Sequence, residues 1–430
     1  MPSWLAEGWL RLRHKSGLHW VAVCAVVVVG LYASHLAREH KLWVDLYLYQ
    51  RLSELSWRAL EPRHTVVVLI EDEAFWRGDL AGRSPLKRDY LAGLVAALDC
   101  AGADVVALDI DVRSPDPNGH PVDHPDYARE TAKLIAAIRT MAGGPHSCLD
   151  SGTSSAAQRR IVLSKALGID ASGQYIPQAN IYDPADFCRT DQGSENHLSI
   201  YCGYLELPSD IRVLPPLLRL KDGTRMQSFA LAIVEARNRH ASALDSGHDR
   251  LQYGSYIPVE TFRRHGAILL ARDILQESPE TRRRKLENKI VLVGGSWSEF
   301  AFGRGTPVDL WSTPVGQIPG VLLHANYVEA LLDGRTYRPL PELAMESLEI
   351  ALLLLCLLAF ELELSAGRKT RVVGALLLCL ILIGYIAFQN LGLVFDVFLP
   401  FLFLLGHALF EQILEWRTAA QTKTQTVEVR

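Results

Sequence analysis

The sequence predicts an α/β domain, a largely parallel sheet flanked by helices, joined to four transmembrane helices, one N-terminal and three C-terminal. Three observations carry this prediction. Hydrophobic runs stand at residues 18–36, 345–364, 372–388 and 393–414, with residues 37–344 between the first two. Inside that interval, short β-branched runs alternate with stretches of helical period. Glycine and proline punctuate the changes from one to the other.

The runs are about 17–22 residues each, enough to cross a ~30 Å hydrocarbon core at ~1.5 Å rise per helical residue. Orientation follows from the basic residues. Arg11, Arg13, His14 and Lys15 precede the first run, and Arg368, Lys369 and Arg371 sit in the 365–371 link. The 389–392 link carries neither Lys nor Arg. Positive-inside bias therefore places residues 1–17, 365–371 and 415–430 in the cytoplasm, and residues 37–344 and 389–392 outside. Arg38 and Lys41 beyond the first run weigh against this orientation. A cleaved signal peptide is the rival reading, but Ser34-His35-Leu36 makes a poor small-residue cleavage site. The expected location is the cell (inner or plasma) membrane.

The elements follow in order. Residues 65–70 (Thr-Val-Val-Val-Leu-Ile) read as a strand buried on both faces. Residues 86–100 have a helical period through Tyr90, Leu91, Leu94, Val95 and Leu98, stopped at Gly102. Residues 105–110 form a second buried strand, giving a right-handed strand–helix–strand unit. A helix over 126–141 and a short strand over 161–163 come next. Residues 143–216 are irregular, rich in Gly, Ser, Asp and Pro. Helical pattern returns at 228–237. Residues 283–289 lead into the third strong strand, 290–293, and then Gly294-Gly295-Ser296. A last helix over 324–332 ends at Asp333-Gly334. No internal repeat is present.

Composition narrows the function classes. Of 430 residues, 49% are apolar and 21% charged, and the net charge is −4. No basic helix with interleaved aromatics appears, so nucleic acid is not expected as a partner. Among seven cysteines, Cys24, Cys356 and Cys379 fall in the apolar runs and Cys100 reads as a buried helical thiol. Cys148, Cys188 and Cys202 lie in loop-like sequence. In an oxidising compartment either Cys188–Cys202 or Cys148–Cys188 would form, and spacing does not choose. No CxxC pair exists, which argues against a structural zinc site.

A longer ordered pattern resembles a known family. Residues 66–70 with Glu71-Asp72-Glu73, then Gly82-Arg83-Ser84-Pro85, a helix, and Ala101-Gly102-Ala103-Asp104 before the second strand look like the start of a type-two CHASE domain. That name stands for cyclase- and histidine-kinase-associated sensory extracellular. The far end is similar too: a strand with Gly294-Gly295, then Asp309-Leu310-Trp311-Ser312-Thr313-Pro314-Val315-Gly316, Pro319-Gly320-Val321, His324-Ala325-Asn326 and Leu332-Asp333-Gly334-Arg335. The resemblance spans about residues 40–342, and one span before with three after is also the family's habit. It implies a sensory role. The family usually continues into a cytoplasmic cyclase, kinase or other output module, whereas residues 415–430 are a short polar tail. The expectation is therefore a sensor without an output module, whose signal passes to a separate effector or membrane enzyme. Self-association into a homo-oligomer is a further expectation.

Candidate chemistry clusters at strand ends. Glu71, Asp72 and Glu73 follow the first strand, and Asp109 and Asp111 end the second. Ligands of open parallel sheets sit at the carboxyl ends of strands, and carboxylates at adjacent ends suit Mg²⁺ or Ca²⁺. Asp72 and Asp109 are the metal candidates. Helix capping, or pairing with Arg83, Arg88 or Arg113, explains acidic strand ends equally well. Gly294-Gly295-Ser296 would present N–H groups to an anion, or simply make a tight turn. Trp297, Phe300 and Phe302 beside it add a lid or core. His324 and Asn326 stand where a loop enters a helix, Asn326 bonding locally and His324 bracing the Thr313–Gly316 turn. A triad of Ser296, His324 and Asp72 lacks the Gly-x-Ser-x-Gly elbow that would support it. The candidate pocket is thus Asp72, Asp109, Gly294, Gly295, Ser296, His324 and Asn326. Ionisable residues in membrane runs are functional candidates, and Glu349 and His407 are singled out as relay points between helices.

These readings converge on a membrane-anchored extracytoplasmic sensor of bacterial type, with the lipid membrane and a signalling partner as its contacts, no cofactor and no enzymatic activity. The alternative is an assembly or scaffold subunit whose outward domain binds another protein. A membrane-bound hydrolase using Asp72 and Asp109 ranks third.

Overall fold

The structure, a computed structural model, describes residue 32 and residues 60–83, 86–112, 126–143, 159–178, 187–188, 199–208, 211, 213–215, 217–238, 253–300, 304–313, 315–339, 343–344, 347–348, 350–351, 366–391 and 393–394. Two compact units divide the chain, Trp57–Thr336 and a second made of Met1–Ser56 with Tyr337–Arg430.

The Trp57–Thr336 unit is built on a six-stranded sheet. Its strands are β1 (Thr65–Ile70), β2 (Val105–Asp109), β3 (Arg160–Lys165), β4 (Ile200–Tyr204), β5 (Ile268–Leu270) and β6 (Ile290–Gly295). Their order is β5-β1-β6-β2-β3-β4, every pairing parallel. The α/β expectation is met. β6, late in the chain, inserts between β1 and β2, so the first strand–helix–strand unit does not place its strands side by side.

Six helices cover the sheet: α1 (Arg88–Cys100), α2 (Tyr127–Gly143), α3 (Phe229–Asn238), α4 (Ala271–Gln276), α5 (Pro279–Leu286) and α6 (Gly320–Leu332). Alternation along each strand splits the core. Val66, Val68, Ile70, Val106, Leu108, Val291 and Val293 pack with Leu91, Leu94 and Leu98 of α1, Leu134 and Ile138 of α2, Ile274 of α4 and Leu286 of α5. The intervening residues, Val67, Val105, Ala107 and Leu292, are buried on the other face, which α3 and α6 cover. Both faces being dry is why the central strands read as unbroken apolar runs.

Several boundaries differ from the sequence reading. The lead into β6 over 283–289 begins within a helix, Pro279–Leu286, started by the Ser278 hydroxyl accepting from the Thr281 N–H at 3.3 Å. The expected 161–163 strand is present as β3, longer at both ends, while the irregular 143–216 stretch also holds β4 and hairpin strands at Leu167–Ile169 and Tyr175–Pro177. Cys188 and Cys202 are joined, with a Cα–Cα distance of 5.6 Å. Cys148 lies outside the described residues. Cys100 is disulfide-bonded rather than a buried thiol, because it ends α1 half-buried instead of facing the core.

In the second unit the described chain forms α7 (Ala366–Leu391), and Arg338 and Pro339 pair in parallel with Leu393 and Val394. Among the described residues no helix is long and apolar enough to cross a membrane. Even so, α7 exposes Leu378, Leu382, Ile383 and Ile386, each at least half open. Apart from isolated positions, the first, second and fourth predicted spans lie outside the described residues, as do Glu349 and His407.

Candidate functional site

The carboxyl ends of β1, β6 and β2 lie side by side, in register Ile70 with Gly295 and Gly294 with Asp109. α6 starts above them. It docks unusually close because β6 has no side chain at its end: a Cβ on Gly294 would stand 2.5 Å from Cβ of Val321. A Cβ on Gly295 would meet the Trp297 ring at 2.3 Å. These glycines therefore finish a strand and admit a helix, and they are not a loop around an anion. Ser296 continues the ladder, its N–H donating to the Ile70 carbonyl at 2.9 Å.

Asp72 and Asp109 are not brought together. With β6 between their strands, the strand ends stand about two ~4.8 Å spacings apart. Asp72 is also occupied. Its Oδ1 accepts the Ser298 N–H at 2.7 Å and its Oδ2 the Ser298 hydroxyl at 3.0 Å. Trp76 Nε1 donates to the Ser298 carbonyl at 3.1 Å, and Phe75 stacks on Trp297 with centroids 4.4 Å apart. The acidic residue after β1 thus clips the Glu73–Arg77 turn to the chain after β6. Glu71 takes Arg272 at 3.1 Å, and burial outweighs that partner in raising its carboxyl above the usual range. Arg83 and Arg88, expected near these acids, go elsewhere. Both meet Glu130 of α2, Arg83 through Nη1 at 2.7 Å and Arg88 through its N–H at 3.1 Å. The Arg88 guanidinium lies 3.7 Å over the Tyr127 ring. Arg113 lies outside the described residues.

Asp109 is different. It shares the α6 face with Val105 and Ala107, and burial pushes its carboxyl well above the usual carboxylate range, with Asp309 adding repulsion. Asp309 lies before the Leu310–Thr313/Gly316–Pro319 hairpin at φ 56°. Its carbonyl accepts the Gly320 N–H at 2.9 Å, and its Oδ1 accepts Trp311 Nε1 at 2.6 Å. A Cβ on Gly320 would fall 1.9 Å from Asp309 Oδ2. Burial raises this carboxyl too, against both hydrogen bonds. The site the fold assembles is therefore Asp109, Asp309, Gly294 and the first turn of α6. Burial holds both carboxyls above the usual range, Asp109 with added repulsion from Asp309.

His324 and Asn326 lie within α6, beyond its first turn, because the helix begins at Gly320. Both are buried, at 2% and 1% exposure. Asn326 accepts the Ile257 N–H at 2.5 Å and donates to the Leu322 carbonyl at 2.9 Å, pinning the chain before the Val259–Arg264 helix. His324 meets the Phe229 ring edge-on at 5.2 Å. Burial lowers its pKa to about 4, and its Nδ1 has no hydrogen-bond partner.

One residue was not anticipated. Glu329, wholly buried on α6, accepts the N–H of Thr65 at 2.7 Å, of His64 at 2.9 Å and of Arg63 at 3.2 Å, and the Thr65 hydroxyl at 2.8 Å. The available signal was a single carboxylate in the mostly apolar run of Gly320–Leu332. The CHASE2 domain family matches residues 22–359 of the chain. No curated protein and no solved structure matches it.

Proposed function

The chain belongs to the CHASE2 domain family, and on that premise we propose that it is a membrane-anchored sensor. Its Trp57–Thr336 unit faces away from the cytoplasm, receives a stimulus at the carboxyl ends of the sheet, and passes it through the flanking spans to a signalling partner.

The observation that carries this reading is the family match itself, which covers the α/β unit and reaches the apolar runs on both sides of it. Three features support it. Cys188–Cys202 and the oxidised Cys100 suit an oxidising compartment. The open aliphatic surface of α7 suits a lipid environment. The Asp109–Asp309 pair lies where ligands of parallel sheets ordinarily bind. A stimulus acts only by binding two states of the unit with different affinity, and the close-docked α6 is the element whose seat such binding would change. The chemistry proposed for this site is recognition of a ligand.

Affinity isolation of the full chain from its native membrane, followed by mass spectrometry, tests the reading. Stoichiometric recovery of a cyclase, kinase or other membrane-proximal effector supports it. Recovery of structural or envelope proteins instead supports the second reading, an assembly subunit. Ile169 and Ile176, exposed on one hairpin, favour that alternative as a contact surface.

A further inference from the structure

The two ends of the Trp57–Thr336 unit meet in a cluster that the sheet-end site does not use. His64 precedes β1, Glu329 lies in the last turns of α6, and Asp333 follows that helix. One ligand-capable atom from each lies within 4.8 Å of the others.

Each carboxylate has one oxygen held by protein and one less committed. Glu329 Oε1 takes three donors at 2.7–2.9 Å, while Oε2 takes only the Arg63 N–H at 3.2 Å. Asp333 Oδ2 is paired with Arg335 Nη2 at 2.6 Å, while Oδ1 faces His64 Nε2 at 3.0 Å. Outer contacts that fix one oxygen and aim the other are what orient a ligating carboxylate.

Charge supplies a second, independent argument. Glu329 is wholly buried, and four donors converge on it, the complement of an acceptor-only carboxylate. Among the described residues no cationic side chain is within ion-pair distance of it. Arg335 offsets Asp333 alone. A buried carboxyl so surrounded by donors, with no cation beside it among the described residues, suits a metal, since buried charges ordinarily are paired or coordinate one.

We propose that His64, Glu329 and Asp333 bind a divalent transition metal of the zinc class, through one nitrogen and two oxygens. The imidazole selects zinc-like ions over magnesium or calcium, which take all-oxygen shells. Three protein ligands leave a fourth position for water or a ligand from outside. A tetrahedral ion with ~2.0 Å bonds holds its ligand atoms ~3.3 Å apart, and the His64 side chain, 34% exposed, can turn to close the remainder. The ion replaces the His64–Asp333 hydrogen bond and ties the entering chain to the leaving one. That this tie reports a stimulus rests on the sensor reading; the binding of metal does not.

The test uses the full chain in detergent, freed of metal with a chelator and titrated with zinc, then with cobalt(II) for its visible absorption. The expected result is one zinc per chain, and a cobalt spectrum of a low-coordinate nitrogen–oxygen site. His64→Ala and Asp333→Asn each weaken zinc binding at least tenfold and abolish the cobalt band, while His265→Ala leaves both unchanged. Circular dichroism confirms that the variants are folded. Less than stoichiometric zinc on folded wild-type protein overturns the proposal, as does wild-type affinity in both His64→Ala and Asp333→Asn. Neither readout depends on signalling, so the site can fail while the sensor reading stands, and the reverse.

Discussion

Glu329 accepts both the backbone N–H and the hydroxyl of Thr65, at 2.7 and 2.8 Å, across 264 positions of sequence. A side chain from the end of the α/β unit thereby satisfies the donors that open its first strand. Replacing it with Ala strands those donors in a dry site, where each unmet group costs about 1–3 kcal/mol. Glu329→Ala is expected to lose on the order of 3 kcal/mol or more in denaturant unfolding, and Glu329→Gln somewhat less, since its amide oxygen still accepts.

The seating of α6 makes a packing prediction. Gly294→Ala forces a Cβ to within 2.5 Å of Val321 and should cost about 1–3 kcal/mol. Val321→Ala keeps the Cβ but removes Cγ1 and Cγ2, which the new methyl would meet at 2.9 and 2.7 Å. The double variant should recover part of the loss, a coupling that a double-mutant cycle of unfolding free energies measures directly.

His324 predicts an acid-sensitive core. Its folded pKa, about 4, lies below the ~6.5 of an unfolded imidazole, so the unfolded chain binds more protons between those values. Stability from this residue is complete above about pH 6.5 and is lost as pH falls toward 4. The loss approaches about 3 kcal/mol. In His324→Leu the unfolding free energy should vary less over that window; an unchanged slope would assign the acid limb to other groups.

Asp109 carries the opposite sign. Its folded pKa is raised, so the folded state holds its proton while the unfolded chain gives it up, and stability falls as pH rises above the unfolded value. Asp109→Asn should therefore raise the melting temperature at neutral pH, with the gain vanishing below about pH 4, where both states are protonated. A residue whose natural identity costs stability points to selection for a role other than folding.

Much of this was legible in the sequence, for physical reasons that also explain the rest. β1, β2 and β6 are central strands dry on both faces, so their residues announce themselves as β-branched runs. The missed strands, Ile200–Tyr204 and Ile268–Leu270, are the two sheet edges, where half-wet mixed sequence gives no such signal. Asp109 was identifiable as an acid at a strand end. Its separation from Asp72 was not, because only tertiary pairing inserts β6 between their strands. Asp309 stood in the family-like stretch that runs to Gly316, but only its left-handed backbone brings it onto Gly320. His324 and Asn326 stood out as polar residues, but α6 begins four residues earlier than its charge pattern suggested, and both turn out to be core.

The account's central claim is that the α/β unit faces outward on a membrane frame, and side-specific labelling tests it most directly. Phe300, which is 62% exposed, and Arg368, in the basic link, are each replaced by Cys in a chain whose free Cys379 is changed to Ser. Intact cells are then treated with a membrane-impermeant maleimide. The account predicts labelling of Phe300→Cys in intact cells and of Arg368→Cys only after the membrane is opened. Labelling of Arg368→Cys from outside, with Phe300→Cys protected, would contradict it.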